Sequence, residues 1–281
     1  MSSSATCDVC WRHCVIPEGG TGFCRARTCR EGRIVAENYG RLTSVAIDPI
    51  EKKPLAEWHP GSHVLSVGSY GCNMRCPFCQ NFEISQEGAG GLRWREVSPQ
   101  ELVDLALDCA ERDSGVIGIA HTYNEPLVGW EYVRDCSMLA HKAGLANVLV
   151  SNGCASAQVI EALAPFVDAA NIDLKCFSAE GYRDLGGSLE EVRHTIAVLG
   201  TSETCHLEVT TLAVPGISDS EDAMRKEAAW LASVSKKIVL HVTRFFPRWH
   251  MADAQPTPVA TVMRLADVAR EYLPHVHVGN C

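Results

Sequence analysis

No run of 18 apolar residues occurs in the 281-residue chain, and a membrane-spanning helix needs roughly that many. No membrane association is expected. Basic clusters are missing too. Lys52-Lys53 and Lys236-Lys237 stand alone, and 25 basic side chains against 34 acidic ones leave a formal net charge of −9. Phosphate backbones are held by a clustered basic face, so nucleic acid is not an expected partner. No leader is expected either, because Met1-Ser2-Ser3-Ser4-Ala5 runs directly into Cys7, with no apolar stretch of the kind a secretion signal needs. Internal repeats and low-complexity segments are absent.

Cysteine is what the chain has in excess, with 14 residues. Without export, dense cysteines read as metal ligands rather than disulfides. The expected setting is a reducing cytoplasm. The remaining composition, 46% hydrophobic and 21% charged, is that of an ordinary globular protein.

The chain divides into two regimes. Residues 1–30 hold Cys7, Cys10, Cys14, Cys24 and Cys29 but few large apolar side chains. A segment that short cannot bury a core of its own and needs a staple. Cys7, Cys10, Cys14 and Cys24 offer four thiolates within a short span, enough for a closed zinc site or for an auxiliary iron–sulfur cluster. Zinc is the favoured expectation, and Cys29 is spare. From about Ser62, apolar runs alternate with amphipathic helical stretches: His63–Val67, Val116–Ala120, Asn147–Val150, Ala169–Leu174, His206–Val214 and Lys237–Val242, with a short last strand at His275–Val278. This alternation is the signature of βαβ units. Ser98-Pro99-Gln100-Glu101 and Ser188-Leu189-Glu190-Glu191 read as capping boxes. Leu102, Leu105, Ala106, Cys109 and Ala110 form one expected helix face. Val259, Val262, Met263, Ala266 and Ala269 form another, in a helix opened by Thr257-Pro258.

The expected fold class is therefore α/β, a partial (β/α)6 TIM-like barrel with a small Cys-rich N-terminal extension. The expected division is a Cys-rich segment with lead-in strands at 1–61 and the barrel at 62–281. Chemistry in β/α barrels sits at the C-terminal ends of the strands. Polar residues cluster there in this chain: the cysteine triplet after the first strand, Thr122 to Pro126 after the second, Ser151-Asn152-Gly153 after the third, Asp173 and Lys175 at the fourth, Thr210 and Thr211 at the fifth, and His241, Thr243 and Arg244 at the sixth.

The triplet Cys72, Cys76 and Cys79 lies in the run Gly71-Cys72-Asn73-Met74-Arg75-Cys76-Pro77-Phe78-Cys79-Gln80-Asn81. A cluster of the [4Fe–4S] type held by protein alone takes four thiolates, so a compact set of three leaves one iron open. Open positions are where metal sites do chemistry. On spacing alone, three of four zinc ligands or a disulfide fragment remain alternatives. The spacing and the aromatic before the last cysteine resemble the signature of the radical S-adenosylmethionine (SAM) enzymes. Asp48-Pro49-Ile50-Glu51-Lys52-Lys53-Pro54-Leu55, Phe82-Glu83-Ile84-Ser85-Gln86, Thr122 to Pro126 and Arg244-Phe245-Phe246-Pro247 extend that likeness, as do the N-terminal cysteines with Gly22-Phe23-Cys24. These stretches resemble the radical SAM group of the AmmeMemoRadiSam system, which is related to the activating enzymes of glycyl-radical enzymes.

The resemblance implies that Cys72, Cys76 and Cys79 hold a [4Fe–4S] cluster whose open iron takes SAM. It implies that Glu125, with Asn124 beside it, receives the SAM ammonium, that Phe78 lends its backbone to the adenine, and that Ser151 and Asn152 reach the SAM carboxylate or ribose. Asp173, Lys175, His241 and Arg244 would line the substrate side. Asp48 faces the same mouth or caps a turn. Val150 departs from the pattern, standing where activating enzymes carry an acidic residue for a monovalent cation. Implied partners are an electron donor such as a flavodoxin or ferredoxin and a protein substrate, of the glycyl-radical type or related to the AMMECR and MEMO proteins. The rival readings are radical modification of a small molecule, an iron–sulfur electron carrier, and a zinc-organised binding protein.

Overall fold

The computed structural model describes residues 4–281. Its frame is a single eight-stranded sheet. The strands are β1 (Ser44–Pro49), β2 (His63–Gly68), β3 (Val116–His121), β4 (Ala146–Ser151), β5 (Ala169–Asp173), β6 (His206–Ala213), β7 (Val239–Arg244) and β8 (Val276–Gly279). They lie side by side in chain order. β1 runs antiparallel to β2, and every other neighbouring pair is parallel. The helices joining the parallel strands are α1 (Pro99–Arg112), α2 (Trp130–Lys142), α3 (Ala157–Leu163), α4 (Ala179–Asp184), α5 (Leu189–Gly200), α6 (Glu221–Val234) and α7 (Val259–Arg270). β1 and β8 do not pair, so the barrel stays open as expected from too few β/α units. No helix of the described residues is long and apolar enough to cross a membrane.

Two helices bury a different stripe from the one expected. On α1, Leu102, Val103 and Ala106 are buried while Leu105 is 39% exposed. On α7, Val262, Leu265, Ala266 and Ala269 are buried, and Val259 and Met263 face solvent. In both, several apolar faces fit a period of 3.6 residues, and packing against neighbours chose between them. The capping box at Ser98 forms in full, with Ser98 and Glu101 exchanging backbone and side-chain bonds. The one at Ser188 is only half made. Ser188 Oγ accepts from the Glu191 N–H at 3.4 Å, but the Glu191 carboxylate accepts instead from the buried Cys154 thiol at 3.2 Å. The Ser188 N–H turns to the Cys154 sulfur.

The segment 50–58 crosses the floor of the open barrel. Ile50 and Leu55 are fully buried against Val64, Ala120, Val148 and Ala169. Asn171 Nδ2 donates to the Pro54 carbonyl at 2.8 Å. The backbone N–H groups of Ala56 and Glu57 donate to the carboxylate of Glu208 at 3.0 and 2.9 Å. At the start of this segment Lys53, 3% exposed, donates to Asp48 at 2.8 Å, and Tyr123 donates its hydroxyl proton to the same carboxylate at 2.6 Å.

On the opposite face of β6, Thr211 donates to Glu227 of α6, a carboxyl only 2% exposed. Burial pushes the pKa of Glu227 up to about 8 from an ordinary value near 4.5. The folded state thus keeps a proton that the unfolded chain gives up. Stability from this source is complete below pH 4.5 and drains away as pH rises toward 8. Glu227→Gln should match the parent protein at pH 5 and exceed it at pH 9 by on the order of 4 kcal/mol in urea unfolding. Equal stability at pH 9 would show that the carboxyl is ionised at no cost. Asp48→Asn leaves the buried Lys53 ammonium without its counter-charge, and stability should fall by about 3 kcal/mol. A loss below ~1 kcal/mol would place the pair in the class of weak surface bridges.

Candidate active site

A cavity of about 540 Å³ occupies the C-terminal mouth of the sheet. One wall is the loop after β2, from which Cys72, Cys76, Phe78 and Cys79 line it. The opposite wall comes from Asp173, Lys175, Thr210, His241, Thr243 and His277.

The cysteine loop is shaped by its neighbours. Asn124 is its splint: Oδ1 accepts from the Ser69 N–H at 2.9 Å, and Nδ2 donates to the carbonyls of Tyr70 and Gly71 at 3.1 and 3.2 Å. Gly71 has φ +89°, and a Cβ there would overlap the carbonyl oxygen of Cys24. Only glycine meets both demands. The Cys72 N–H donates to that same carbonyl at 3.1 Å. The thiols themselves meet polar partners: the Met74 N–H lies 3.3 Å from the Cys72 sulfur, Asn152 Nδ2 lies 3.6 Å from it, and Ser85 Oγ lies 3.2 Å from the Cys79 sulfur. Burial raises the Cys72 pKa well above the ordinary value and pushes Cys76 up to about 12. Such thiols ionise when a metal supplies the compensating charge.

Glu125 is 2% exposed and lines the cavity. Its carboxylate accepts from Ser151 Oγ at 2.7 Å, the Asn152 N–H at 2.8 Å and the Leu127 N–H at 3.0 Å. A carboxylate has about four acceptor positions, so one remains. Burial pushes its pKa up to about 7 against the pull of those three donors. Ser151 and Asn152 line the cavity as well, but their side chains are largely committed. Ser151 Oγ also accepts from the Gly153 N–H, and Asn152 Nδ2 donates to Asn73 Oδ1 at 3.0 Å. They orient Glu125 and the cysteine loop. Gly153 has φ +67°, with Ile172 where a side chain would stand.

Asp173 and Lys175 form an ion pair at 2.7 Å in the cavity wall. Burial alone would lower the Lys175 pKa, but Asp173, Cys76 and Cys79 together hold it above its ordinary range. His241 lines the cavity with Nε2 on the Glu208 carboxylate and its ring against His277 at 5.4 Å. Phe78 is buried and meets Phe245 edge to face. Arg244 is not among the cavity-lining residues: its Nε donates to the Thr257 carbonyl at 2.7 Å and its guanidinium lies over Phe246. Strand alternation explains this, since His241 and Thr243 share the inner face of β7 and Arg244 takes the other. Val150, at the position that departs from the pattern, lines the cavity.

Tyr123 and Thr210, expected at the mouth but given no role there, line the cavity, as do His277 and Glu51, which had not been placed at it. Tyr123 has φ +71°, a left-handed conformation that costs a side chain on the order of 1–3 kcal/mol. It aims the ring at Asp48 and lies 4.8 Å from the Lys53 ammonium. Asp48 therefore anchors a buried triad rather than simply capping a turn. The buried Thr210 Oγ1 has no protein partner. The sequence signal for these residues was inward alternation on β6 and β8, and the Asp48 motif for Tyr123.

The four N-terminal cysteines line a separate small cavity with Arg27 and Asn73. Cys29 is apart from them, its thiol 3.6 Å from Glu18. Among the described residues, no three His, Cys, Asp or Glu side chains converge as closely as one bound ion requires. Around Cys72, Cys76 and Cys79 this spacing is compatible with a cluster, whose irons and sulfides fill the space between thiolates.

The pattern of the Radical SAM superfamily matches residues 66–228. An uncharacterized protein of Methanocaldococcus jannaschii is 37% identical over 98% of this chain and 80% of its own length. A second protein of that organism, named a glycyl-radical enzyme activating enzyme, is 25% identical over 74% of this chain and 85% of its own length. Among solved structures, Streptococcus suis SuiB bound to S-adenosylmethionine superposes with a TM-score of 0.58 at 13% identity, covering 75% of this chain and 48% of SuiB. A domain of pyruvate-formate lyase-activating enzyme from Bacteroides vulgatus gives 0.50 at 15% identity, over 58% of this chain and 99% of that domain. The open sheet, the thiol-lined mouth and these matches agree: the chain is a radical SAM enzyme and belongs to the Radical SAM superfamily.

Proposed function

We propose that Cys72, Cys76 and Cys79 hold the [4Fe–4S] cluster that family membership implies, and that the enzyme abstracts hydrogen from a protein substrate as glycyl-radical activating enzymes do. The observation that carries this reading is the cavity wall: it contains three thiols and no fourth, with a buried carboxylate on the same space. When bound, the cluster supplies the electron that cleaves SAM to methionine and a 5′-deoxyadenosyl radical. The chain's own part is placement and exclusion of water. Glu125 offers its remaining acceptor position to the SAM ammonium, a charge-assisted contact. Asn124, Ser151 and Asn152 hold that carboxylate and the cysteine loop in register. The Asp173–Lys175 pair presents both charge signs to SAM or substrate, and His241 is held on the far wall by Glu208.

The activating role draws on the similarity to the activating-enzyme homologue and on the unpaired edges of the sheet, where a protein partner can close the mouth. An electron donor such as flavodoxin or ferredoxin belongs to this scheme, as does a cytoplasmic setting for 14 unpaired thiols. A second reading, modification of a small molecule in an AMMECR or MEMO context, draws on the cavity volume of about 540 Å³, within the usual range for metabolite sites. An electron carrier needs no open iron and no carboxylate beside it.

Anaerobic reconstitution with iron, sulfide, SAM and reductant should yield 5′-deoxyadenosine, slowly without a partner and faster with the substrate protein. Cys72→Ala, Cys76→Ala and Cys79→Ala should each lose the cluster absorbance and the product together. A single variant that kept both would exclude these ligands. Glu125→Gln should keep the cluster and weaken SAM binding by about 1.5–3 kcal/mol, roughly 10- to 150-fold in Kd. Unchanged affinity in titration would return Glu125 to a purely structural role.

A further inference from the structure

The thiols of Cys7, Cys10, Cys14 and Cys24 take no part in the chemistry above. Three of them are buried and Cys14 is half-buried. Two tight turns present them: the Cys7 N–H donates to the Cys14 carbonyl at 2.9 Å and the His13 N–H to the Cys10 carbonyl at 3.1 Å, while the Arg25 N–H closes the second turn on Gly22 at 2.9 Å. All four line one cavity of about 10 Å³. That is space for about one water-sized body, nearer to a single ion than to a second iron–sulfur cubane.

An orphaned donor stands in the same cavity. Arg27 is 1% exposed and lines it. Its two terminal nitrogens grip Glu131 at 2.7 and 2.6 Å, but its buried Nε has no partner. A buried N–H without an acceptor is costly and calls for explanation. A set of thiolates carrying net negative charge would supply the acceptor.

We infer that Cys7, Cys10, Cys14 and Cys24 bind one zinc ion as a tetrahedral tetrathiolate site, and that this ion stiffens the loop bearing Cys72, Cys76 and Cys79. The four sulfurs of the structure do not yet stand as close as one ion requires; binding would have to rotate them about their Cα–Cβ bonds between staggered rotamers. The link to the active site is direct. Cys24, one of the four, accepts the Cys72 N–H through its carbonyl. Asn73, the next residue of the loop, lines the thiol cavity. Arg12 Nη2 donates to the Gly186 carbonyl at 2.8 Å, Arg75 Nη2 donates to the Phe23 carbonyl at 2.5 Å, and both guanidiniums cover the Phe23 ring, at 3.4 and 3.9 Å from its centre. The segment that cannot bury its own core is thereby fixed by metal and fixes the loop in turn.

The stiffening half rests on Cys72 as a cluster ligand; the zinc half does not. The test is metal analysis and zinc-edge X-ray absorption on the full chain, purified anaerobically. One zinc per chain with sulfur ligands at about 2.3 Å is the expected result, read without any SAM cleavage. Cys14→Ser should lose the zinc, accept iron on reconstitution, and release that iron to a chelator roughly tenfold faster, as loss of outer support does elsewhere. Cys29→Ser should keep the zinc. Wild-type protein without zinc, a second iron–sulfur cluster in its place, or a Cys14→Ser protein that retains zinc would overturn the site. Zinc loss with an unchanged rate of iron release would overturn the link to the loop. Zinc present in a protein that holds no iron would sink the catalytic reading and leave this one standing.

Discussion

The open barrel depends on one buried anion. Glu208 has no solvent access, yet its carboxylate is surrounded by donors: the Ala56 and Glu57 N–H groups, His206 and His241. Burial alone would raise its pKa, and those partners reverse the sign and bring it to about 2. The group is an anion at any physiological pH. It ties the floor segment to the middle of the sheet. Glu57, held in that segment, then meets His275 at 2.9 Å and His277 at 2.8 Å beside the edge strand β8. Backbone pairing cannot join β1 to β8, and side chains of the floor do the work across the gap. The cavity has a fixed base because of this arrangement.

Above that base, polar groups fall into holders and presenters. Asn124, Ser151 and Asn152 spend most of their hydrogen-bonding capacity on the protein. Glu125, the Asp173–Lys175 pair and Thr210 keep capacity that faces the open space. A site so divided is pre-organised: the orienting bonds are made before a ligand arrives, so binding need not order them.

The strands were legible in the chain because fully buried parallel strands write themselves as short apolar runs between capped helices. The site followed from strand ends: Cys72, Cys76, Cys79, Glu125, Asp173, Lys175 and His241 line the mouth, whereas Thr211 and Arg244 point away from it. Those two were misplaced for want of one rule, alternation along β6 and β7. What stayed hidden depended on contacts across the chain. Nothing local says that Glu191 leaves its helix cap for Cys154, or that Tyr123 takes a left-handed backbone to reach Asp48. The buried faces of α1 and α7 were ambiguous for the same reason: several stripes were apolar, and tertiary packing selected one.

The contact between Gly71 and the Cys24 carbonyl bears on where the working unit begins. The superfamily pattern starts at residue 66, inside β2, and leaves out the floor, the antiparallel edge and the first thirty residues. A protein cut to that boundary would retain all three thiols of the mouth but lose the Cys24 carbonyl under Cys72, the Phe23 platform under Arg75, and the donors from Ala56 and Glu57 to Glu208. The boundary drawn by shared ancestry and the boundary drawn by mechanics do not coincide. In this enzyme the cysteine loop is a surface upholstered from beneath by sequence that precedes it, and transplanting the loop means transplanting its backing.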